Sequence, residues 1–515
     1  MKHQNVKHKK KSMAVTARHR MLSFIWFLQL IAEGMALFCI WRLNMLPENL
    51  LLILAGVFAV LALFTGILLL PRRTGRLQGS CGVFLSVLIF ALSCAASVVI
   101  MDAQGTIQGI SGQTGGKLTM AVYVRSDDPA QTIQDAADYD FAVVQGYDEA
   151  RTRQAVEDIE QELGRSISVT EYAGAKELVE GFFSGESGAM IVNSAYANLL
   201  EDLEGYENFY DRVRILYQVD SNAWSSIIEN VGGFLQSEQE EIASDPFVVY
   251  ISGSDTRDKK LSTSRSDVNI LAVVNPKTKQ VLLINTPRDY YIPNPASESG
   301  SLDKLTHCGI YGIECSMQAL GDLYGVEVDY YAQINFTGFE TLIDEIGGIT
   351  VWSDVSFNTV DGGHFDAGEL HLNGSEALAF ARERKNLPGG DNARGRNQMK
   401  VIKAVIGKMT SGTTILSNYS GIMESLEGMF ATSLTSDDIS ELVKMQLKDM
   451  AQWNISSFAV TGSDGSEITY SMPGTKVYVM HPDETMVNHG AALVDRILAG
   501  ETLTEADMTP TEATE

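Results

Sequence analysis

At 515 residues the chain is too long for one compact core, so two or three folded units are expected. Its formal net charge of −26 weighs against a nucleic-acid partner, which demands a broad basic surface. The hydrophobic content is unevenly spread, and three apolar runs crowd the first hundred residues.

These runs, Leu22–Trp41, Leu50–Leu70 and Cys81–Met101, each approach the ~20 residues that a helix needs to cross a bilayer. No small-residue cleavage site follows the first, so it reads as a span rather than a signal peptide. The basic tail 1–21 carries seven Lys/Arg and no acid within its first twenty residues, and the second link holds Arg72, Arg73 and Arg76. Positive-inside bias puts both in the cytoplasm, and an odd number of crossings then sends everything after Asp102 outside. The expectation is a multi-pass membrane protein with a large extracytoplasmic C-terminal region. Glu33 lies inside the first run, where it either packs against another anchor helix or serves a function.

A Gly-, Ser-, Thr- and Gln-rich linker, 102–117, leads to an accessory α/β domain expected over 118–235, with strands at Leu118–Val124, Phe141–Gln145 and Met190–Asn193 and a helix at Ala150–Leu163. A second α/β domain is expected over 246–412. It opens with a strand at Phe247–Ser252 and a hairpin of Val268–Val274 with Gln280–Asn285 across the turn Asn275-Pro276-Lys277-Thr278-Lys279. Strands at Tyr330–Asn335 and Ile349–Trp352 then alternate with helices at Ser316–Tyr324, Gly338–Ile346, Ser375–Arg384 and Gly395–Thr410. That order predicts a mixed sheet covered by helices on both faces. A C-terminal α/β extension, 413–500, has a capping-box helix start at Thr435–Asp438 and a strand at Ile455–Val460. The tail 501–515 holds five acids and no base and is expected to be disordered.

In this acidic region a knot of arginines stands out: Arg382, Arg384, Lys385, Arg394 and Arg396 against Glu383 and Asp391, around Pro388-Gly389-Gly390. Pro287-Arg288-Asp289 follows one strand and Ser264-Arg265-Ser266-Asp267 precedes another, so both reach a sheet edge where ligands of α/β folds collect. Guanidiniums aimed at one place repel unless an anion neutralises them, and the fork of arginine matches phosphate. A pyrophosphate is the natural guest. Asp255 and Asp267 each flank a strand, and from spacing alone they are either turn and ion-pair residues or ligands of a hard divalent cation. No GxSxG elbow, HExxH pair or P-loop occurs. His307, His364 and His371 are scattered. Cys308 and Cys315 form a disulfide only if Cys308 leaves the following helix, because seven residues of continuous helix separate them by ~10.5 Å.

The stretches GSDTR at Gly253, SRSDVNILAVVNPKTKQVLLINTPRDYYI from Ser264, DKLTHCGIYG from Asp303, DYYAQINFTGFETLIDEIGGITV from Asp329 and LNGSEALAFARERKNLPGGDNARGRNQMKVI from Leu372 closely resemble the LytR-CpsA-Psr family of bacterial cell-wall glycopolymer ligases. Three anchors followed by a smaller exported domain look like its capsule-type members. The resemblance implies an α-β-α sandwich that transfers a glycopolymer, of the capsule or teichoic-acid kind, from undecaprenyl pyrophosphate to hydroxyls of peptidoglycan. It implies Mg²⁺ on Asp255 and Asp267, and pyrophosphate contacts from Arg265, Arg288, Arg382, Arg384, Arg394 and Gln398. Lys304 and Asp391 match supporting positions, and Asp289 would orient an arginine or the acceptor. Arg396 of the same knot is expected at the substrate. A lipid tail would lie in an apolar tunnel lined by Ile334–Leu342 and Met399–Ile406. Implied partners are the polyprenyl-pyrophosphate glycan, peptidoglycan, the bilayer and wall- or capsule-assembly proteins. A lipid-pyrophosphate hydrolase and a non-catalytic lipid-glycan scaffold are the alternatives.

Overall fold

The computed structural model describes residues 2–71, 75–111, 119–146, 148–193, 195–200, 203, 205, 206, 208–220, 242–254, 261, 263–297, 299–360, 362–411, 421, 422 and 425–510. They fall into two units: one of residues 1–109, 416–424 and 435–451, the other of residues 110–415, 425–434 and 452–515.

The first unit is helical. Thr16–Leu43, Glu48–Leu69 and Arg76–Met101 are long and apolar enough to cross a membrane, and they cover the three runs expected as spans except Leu70, which caps the second helix. Side chains such as Phe24, Phe27, Leu52, Ile53, Leu63 and Phe84 point outward, a pattern suited to lipid rather than water. Trp26 Nε1 donates to the Ala62 carbonyl at 2.9 Å, joining the first helix to the second. Glu33 is buried and accepts from Gln29 Nε2 at 2.8 Å, one turn earlier on its own helix. The helix Ser436–Asp449 starts at the expected capping box, with Thr435 and Asp438 bonded reciprocally.

Among its described residues the second unit holds two large sheets and four two-stranded ones. The first has strands β1 (Thr119–Arg125), β2 (Asp140–Val144), β3 (Ser168–Tyr172), β4 (Ala189–Asn193) and β5 (Val213–Asp220), in the order β3-β2-β4-β1-β5. Alternation along β1 sends Met120, Val122 and Val124 into a core with Phe141 and Ile159, while Ala121 and Tyr123 join the larger core that continues into the second domain. Asn193 Nδ2 donates to the Ile310 carbonyl at 3.0 Å across this junction.

The second sheet carries β6 (Phe247–Ser254), β7 (Ser266–Asn275), β8 (Gln280–Asn285), β11 (Tyr330–Asn335), β16 (Phe430–Thr432) and β17 (Asn454–Ala459), in the order β16-β11-β6-β7-β8-β17. Between β8 and β11 lie the short strands β9 (Tyr291–Pro293) and β10 (Leu302–Lys304). Between β11 and β16 lie β12 (Ile349–Ser353), β13 (Phe357–Asn358), β14 (His364–Phe365) and β15 (Gly368–Leu372). The sheet is mixed, as expected: β11 runs parallel to β6 and β17 parallel to β8, while β6, β7 and β8 are antiparallel in turn. The expected turn closes β7 onto β8, because the Asn275 side chain accepts from the amides of Lys277 and Thr278, both at 3.1 Å. Helices Ile313–Tyr324 and Glu484–Leu498 pack together, the latter against β7 and β8; Phe336–Glu345, Gly374–Arg382 and Gly390–Thr410 form a second group, which meets β8, β11 and β17. Strands β16 and β17 come from beyond residue 412, so the fold that opens at Phe247 does not end there.

These strand directions position the site. An antiparallel neighbour begins where its partner ends, so the end of β6, the start of β7 and the end of β8 share one edge, and β11, parallel to β6, ends there too. Asp267, Arg288 and Asn335 therefore lie along one rim. Gly395 admits the helix Gly390–Thr410 to this rim, because a Cβ there would collide with the side-chain amide of Asn285 at the end of β8.

Candidate active site

A cavity of about 390 Å³ opens at this rim. Its mouth carries Asp267, Arg288, Arg382, Arg384, Arg394 and Gln398. Its walls are apolar, with Ala332, Ile334, Phe336, Phe339 and Leu342 on one side and Leu378, Val401, Ile402, Val405 and Ile406 on the other. Both segments expected to line a tunnel thus line this cavity.

The arginines reach the mouth from three elements. Arg288 follows β8, and its Nη1 donates to Asp267 Oδ1 at 2.7 Å while its Nε lies 3.6 Å from Asp289 Oδ2. Burial alone would lower the Arg288 pKa, but Asp267, Asp289 and Asp391 hold it above its ordinary value. Lys304 Nζ sits 3.1 Å from Asp289 Oδ1. Burial pushes the Asp289 carboxyl up, yet Lys304 and Arg288 outweigh it and the net shift is downward. Asp289 therefore stands as a carboxylate clamped between two cations, which makes it a weak proton acceptor.

Arg394 and Gln398 lie four residues apart on the helix Gly390–Thr410 and share a face. Arg394 Nη2 meets Asp391 Oδ1 at 2.6 Å. Burial, with the charges of Arg288 and Arg384 added, pulls the Arg394 pKa down against the opposing pull of Asp391. Such mutual strain among guanidiniums is what an incoming anion relieves.

Arg382 closes the helix Gly374–Arg382, which opens with a capping box of Asn373 and Glu376, and its guanidinium lies 4.4 Å over the Phe336 ring. The chain is extended after this helix, so alternate residues diverge: Arg382 and Arg384 face out while Glu383 turns in. Glu383 accepts from the amides of Val360 at 2.8 Å and Asn386 at 2.9 Å, and thereby ties the arginine loop to the strand pair beside it. Burial raises its pKa, but these bonds, with the amides of Arg384 and Lys385, bring it below the ordinary ~4.3. Because the folded pKa is depressed, this stabilisation is complete above that value and is lost as pH falls through the folded pKa. Glu383→Gln is accordingly expected to lower Tm by a few degrees at pH 7, with the gap to wild type closing below about pH 4 in thermal melts.

Five of the described expected site residues are not part of the cavity lining: Asp289 and Asp391 pair with the lining Arg288 and Arg394, Lys304 pairs with Asp289, and Arg265 and Arg396 remain. Arg396 is exposed and outside the cavity lining, because two residues of helix rotate it about 200° from Arg394. Arg265 is half-buried in the segment before β7 and is also absent from the lining. Asp255 lies outside the described residues. Sequence reasoning did not single out Leu378 or Phe430, and Phe336, inside the expected Ile334–Leu342 segment, is seen beneath Arg382 only once the two helices are paired. Cys308 and Cys315 are buried free thiols; Cys308 ends a short helix, Leu305–Cys308, rather than lying in a loop, and Gly312 at φ 116° separates it from the next helix. His307 bonds Asp303 at 2.6 Å in that buried network, while His364 and His371 are exposed.

A cationic mouth over an apolar cavity is an arrangement that can take an amphiphile with an anionic, phosphate-like head. The chain belongs to the LytR_cpsA_psr family, whose model matches residues 217–488, more than half of its length. It is 36% identical over 199 residues to the polyisoprenyl-teichoic acid–peptidoglycan teichoic acid transferase TagU of Bacillus licheniformis, a stretch covering 38% of this chain and 63% of that relative. It is 32% identical over 229 residues to the protein of the same name from Enterococcus faecalis, covering 44% of this chain and 74% of the relative. Among solved structures, B. subtilis TagU aligns with a TM-score of 0.39 at 29% identity, over 51% of this chain and all of that one.

Proposed function

We propose that this protein is a membrane-anchored phosphotransferase that moves a glycopolymer from undecaprenyl pyrophosphate to a hydroxyl of peptidoglycan at the outer face of the membrane. The observation that carries the reading is the junction of the apolar cavity with Arg288, Arg382, Arg384 and Arg394, which suits a polyprenyl pyrophosphate at both its tail and its head. The names of the TagU relatives, which describe transfer of teichoic acid to peptidoglycan, support the same class of reaction.

In this reading the polyprenyl tail fills the cavity and the pyrophosphate rests among the guanidiniums. The acceptor oxygen attacks the glycan-side phosphorus, a new P–O bond forms, and the P–O bond to the lipid phosphate breaks. Negative charge gathers on the bridging and departing oxygens, where Arg288, Arg382 and Arg394 are placed to stabilise it. The acceptor's proton passes to the departing phosphate, a better base than a carboxylate held down by Lys304 and Arg288. Asp289 fixes the aim of Arg288.

Asp267 gives one carboxylate oxygen to Arg288 and has a second to offer, and a carboxylate beside phosphate oxygens is the donor set that Mg²⁺ prefers. Asp267, with Asp255 as the second carboxylate expected from the resemblance, would hold that ion. Bound there, it would neutralise charge on the phosphates.

Transfer is tested by incubating the full-length protein in detergent with a lipid-pyrophosphate glycan, Mg²⁺ and peptidoglycan. Metal-dependent attachment of glycan to peptidoglycan, lost in Asp267→Ala, is the expected result. Release of lipid phosphate without attachment would indicate a hydrolase, and tight lipid binding without turnover a scaffold. The basic N-terminal tail and the three apolar helices support the outward placement, which predicts that protease added to intact cells removes a tag at Glu515.

A further inference from the structure

Beyond β17 the chain forms a hairpin of β18 (Gly462–Thr469) and β19 (Met472–Pro482), which stands beside Asp289 and Lys304. Several bonds hold it there, among them three with the segment that carries Asp289. The Met480 amide donates to the Asp289 carbonyl at 2.8 Å, Tyr290 Oη donates to the Thr461 carbonyl at 2.5 Å, and Tyr291 Oη donates to the Ile468 carbonyl at 2.8 Å.

The register pairs Asp464 with Met480, Ser466 with Tyr478 and Ile468 with Lys476, so these six side chains share one face. On the other face His481 crosses Gly465, where a Cβ would strike the imidazole, and lies 3.6 Å from Glu467. Beyond the buried Met480 the Tyr478 face is open: Tyr478 is 45% exposed and Ile468 50%. Tyr478 Oη donates to Asp464 Oδ1 at 2.7 Å, which fixes the ring. Lys304 Nζ, the same ammonium that pairs with Asp289, lies 5.9 Å from the ring centroid.

Arg288 and Asp267 line the apolar cavity, whereas Asp289, Lys304 and Tyr478 do not. A path therefore runs from the cavity through Arg288 to Asp289 and Lys304, and on to Tyr478, away from the tail. A fixed, exposed aromatic ring with a carboxylate at its edge and an ammonium beside it offers a flat surface to the C–H face of a pyranose, with an acceptor and a donor for its hydroxyls.

We propose that this face is the acceptor subsite: a hexosamine ring of the glycan strand stacks on Tyr478, with its hydroxyls directed to Asp464 and Lys304. The assignment rests on the transferase reading given above. It places the incoming hydroxyl beside the phosphates and on the side opposite the lipid.

The test uses the full-length protein in detergent and three probes: a soluble β-1,4-linked N-acetylglucosamine oligomer, undecaprenyl pyrophosphate bearing no sugar, and undecaprenyl pyrophosphate bearing one. Tyr478→Ala is expected to weaken oligomer binding about tenfold, and Asp464→Asn, at an exposed position, severalfold, while the bare lipid binds both as it binds wild type. Arg394→Ala is expected to do the reverse. Equal oligomer binding by wild type and both variants overturns the subsite, as does no oligomer binding by a wild-type protein that binds the lipid. A defect seen only when the lipid carries its own sugar assigns the face to the donor and also overturns it. Failure of the wild-type protein to bind the bare lipid overturns the transferase reading itself.

Discussion

Replacing Arg394 with alanine is expected to reduce glycan transfer by about 10²–10³-fold, the usual cost of removing a preorganised donor to a developing oxyanion. The effect is compounded locally. Arg394 neutralises Asp391 at 2.6 Å, and its loss leaves a carboxylate facing the phosphates. Arg382→Ala removes a more exposed guanidinium and is expected to cost about 10–10²-fold, since solvent replaces part of its effect. Steady-state rates with the full-length protein check both, with thermal melts to confirm that each variant is folded. Rates within twofold of wild type in both variants would refute the arginine clamp.

Ala332→Phe is expected to discriminate between donors by tail length. Ala332 and Ile334 point into the cavity from β11, two residues apart on a strand. A phenyl ring there takes a sizeable share of about 390 Å³. Displacing about four methylenes of the tail forfeits about 3 kcal/mol, or about 10²-fold in affinity for a full polyprenyl donor. A short, water-soluble donor that does not reach Ala332 is expected to be used at close to the wild-type rate. Competition between the two donors measures the difference directly, and equal losses for both would place the tail elsewhere.

Much of this site is legible in local pattern. The Asn275 turn, the apolar runs of β6 to β8 and the capping-box helix start at Thr435 are set by neighbours within a few residues, so the residue order alone indicates them. The arginine knot stands out because its surroundings are acidic. Even the outward rotation of Arg396 is contained in the helical repeat once the helix is known to begin before Arg394.

What is not legible depends on pairings between distant segments. Nothing near Phe430 or Asn454 announces that these short strands close the two ends of a sheet begun at Phe247, because their partners lie far away in sequence. Glu383 looks like a charge that offsets its arginine neighbours; its role as the anchor of their loop needs the Val360 amide, brought close by folding. Tyr478 carries no signal of its own until register places it with Asp464 and the Asp289 carbonyl fixes the hairpin.

The central claim is that one molecule's tail and head occupy this cavity and its arginine rim. The most direct measurement is photocrosslinking of the full-length protein with an undecaprenyl pyrophosphate carrying a diazirine along its tail, followed by peptide mapping. Labels are expected within Ile334–Leu342 and Val401–Ile406, and their intensity should fall in Ala332→Phe. Labels confined to the membrane-spanning helices, with transfer activity intact, would contradict it.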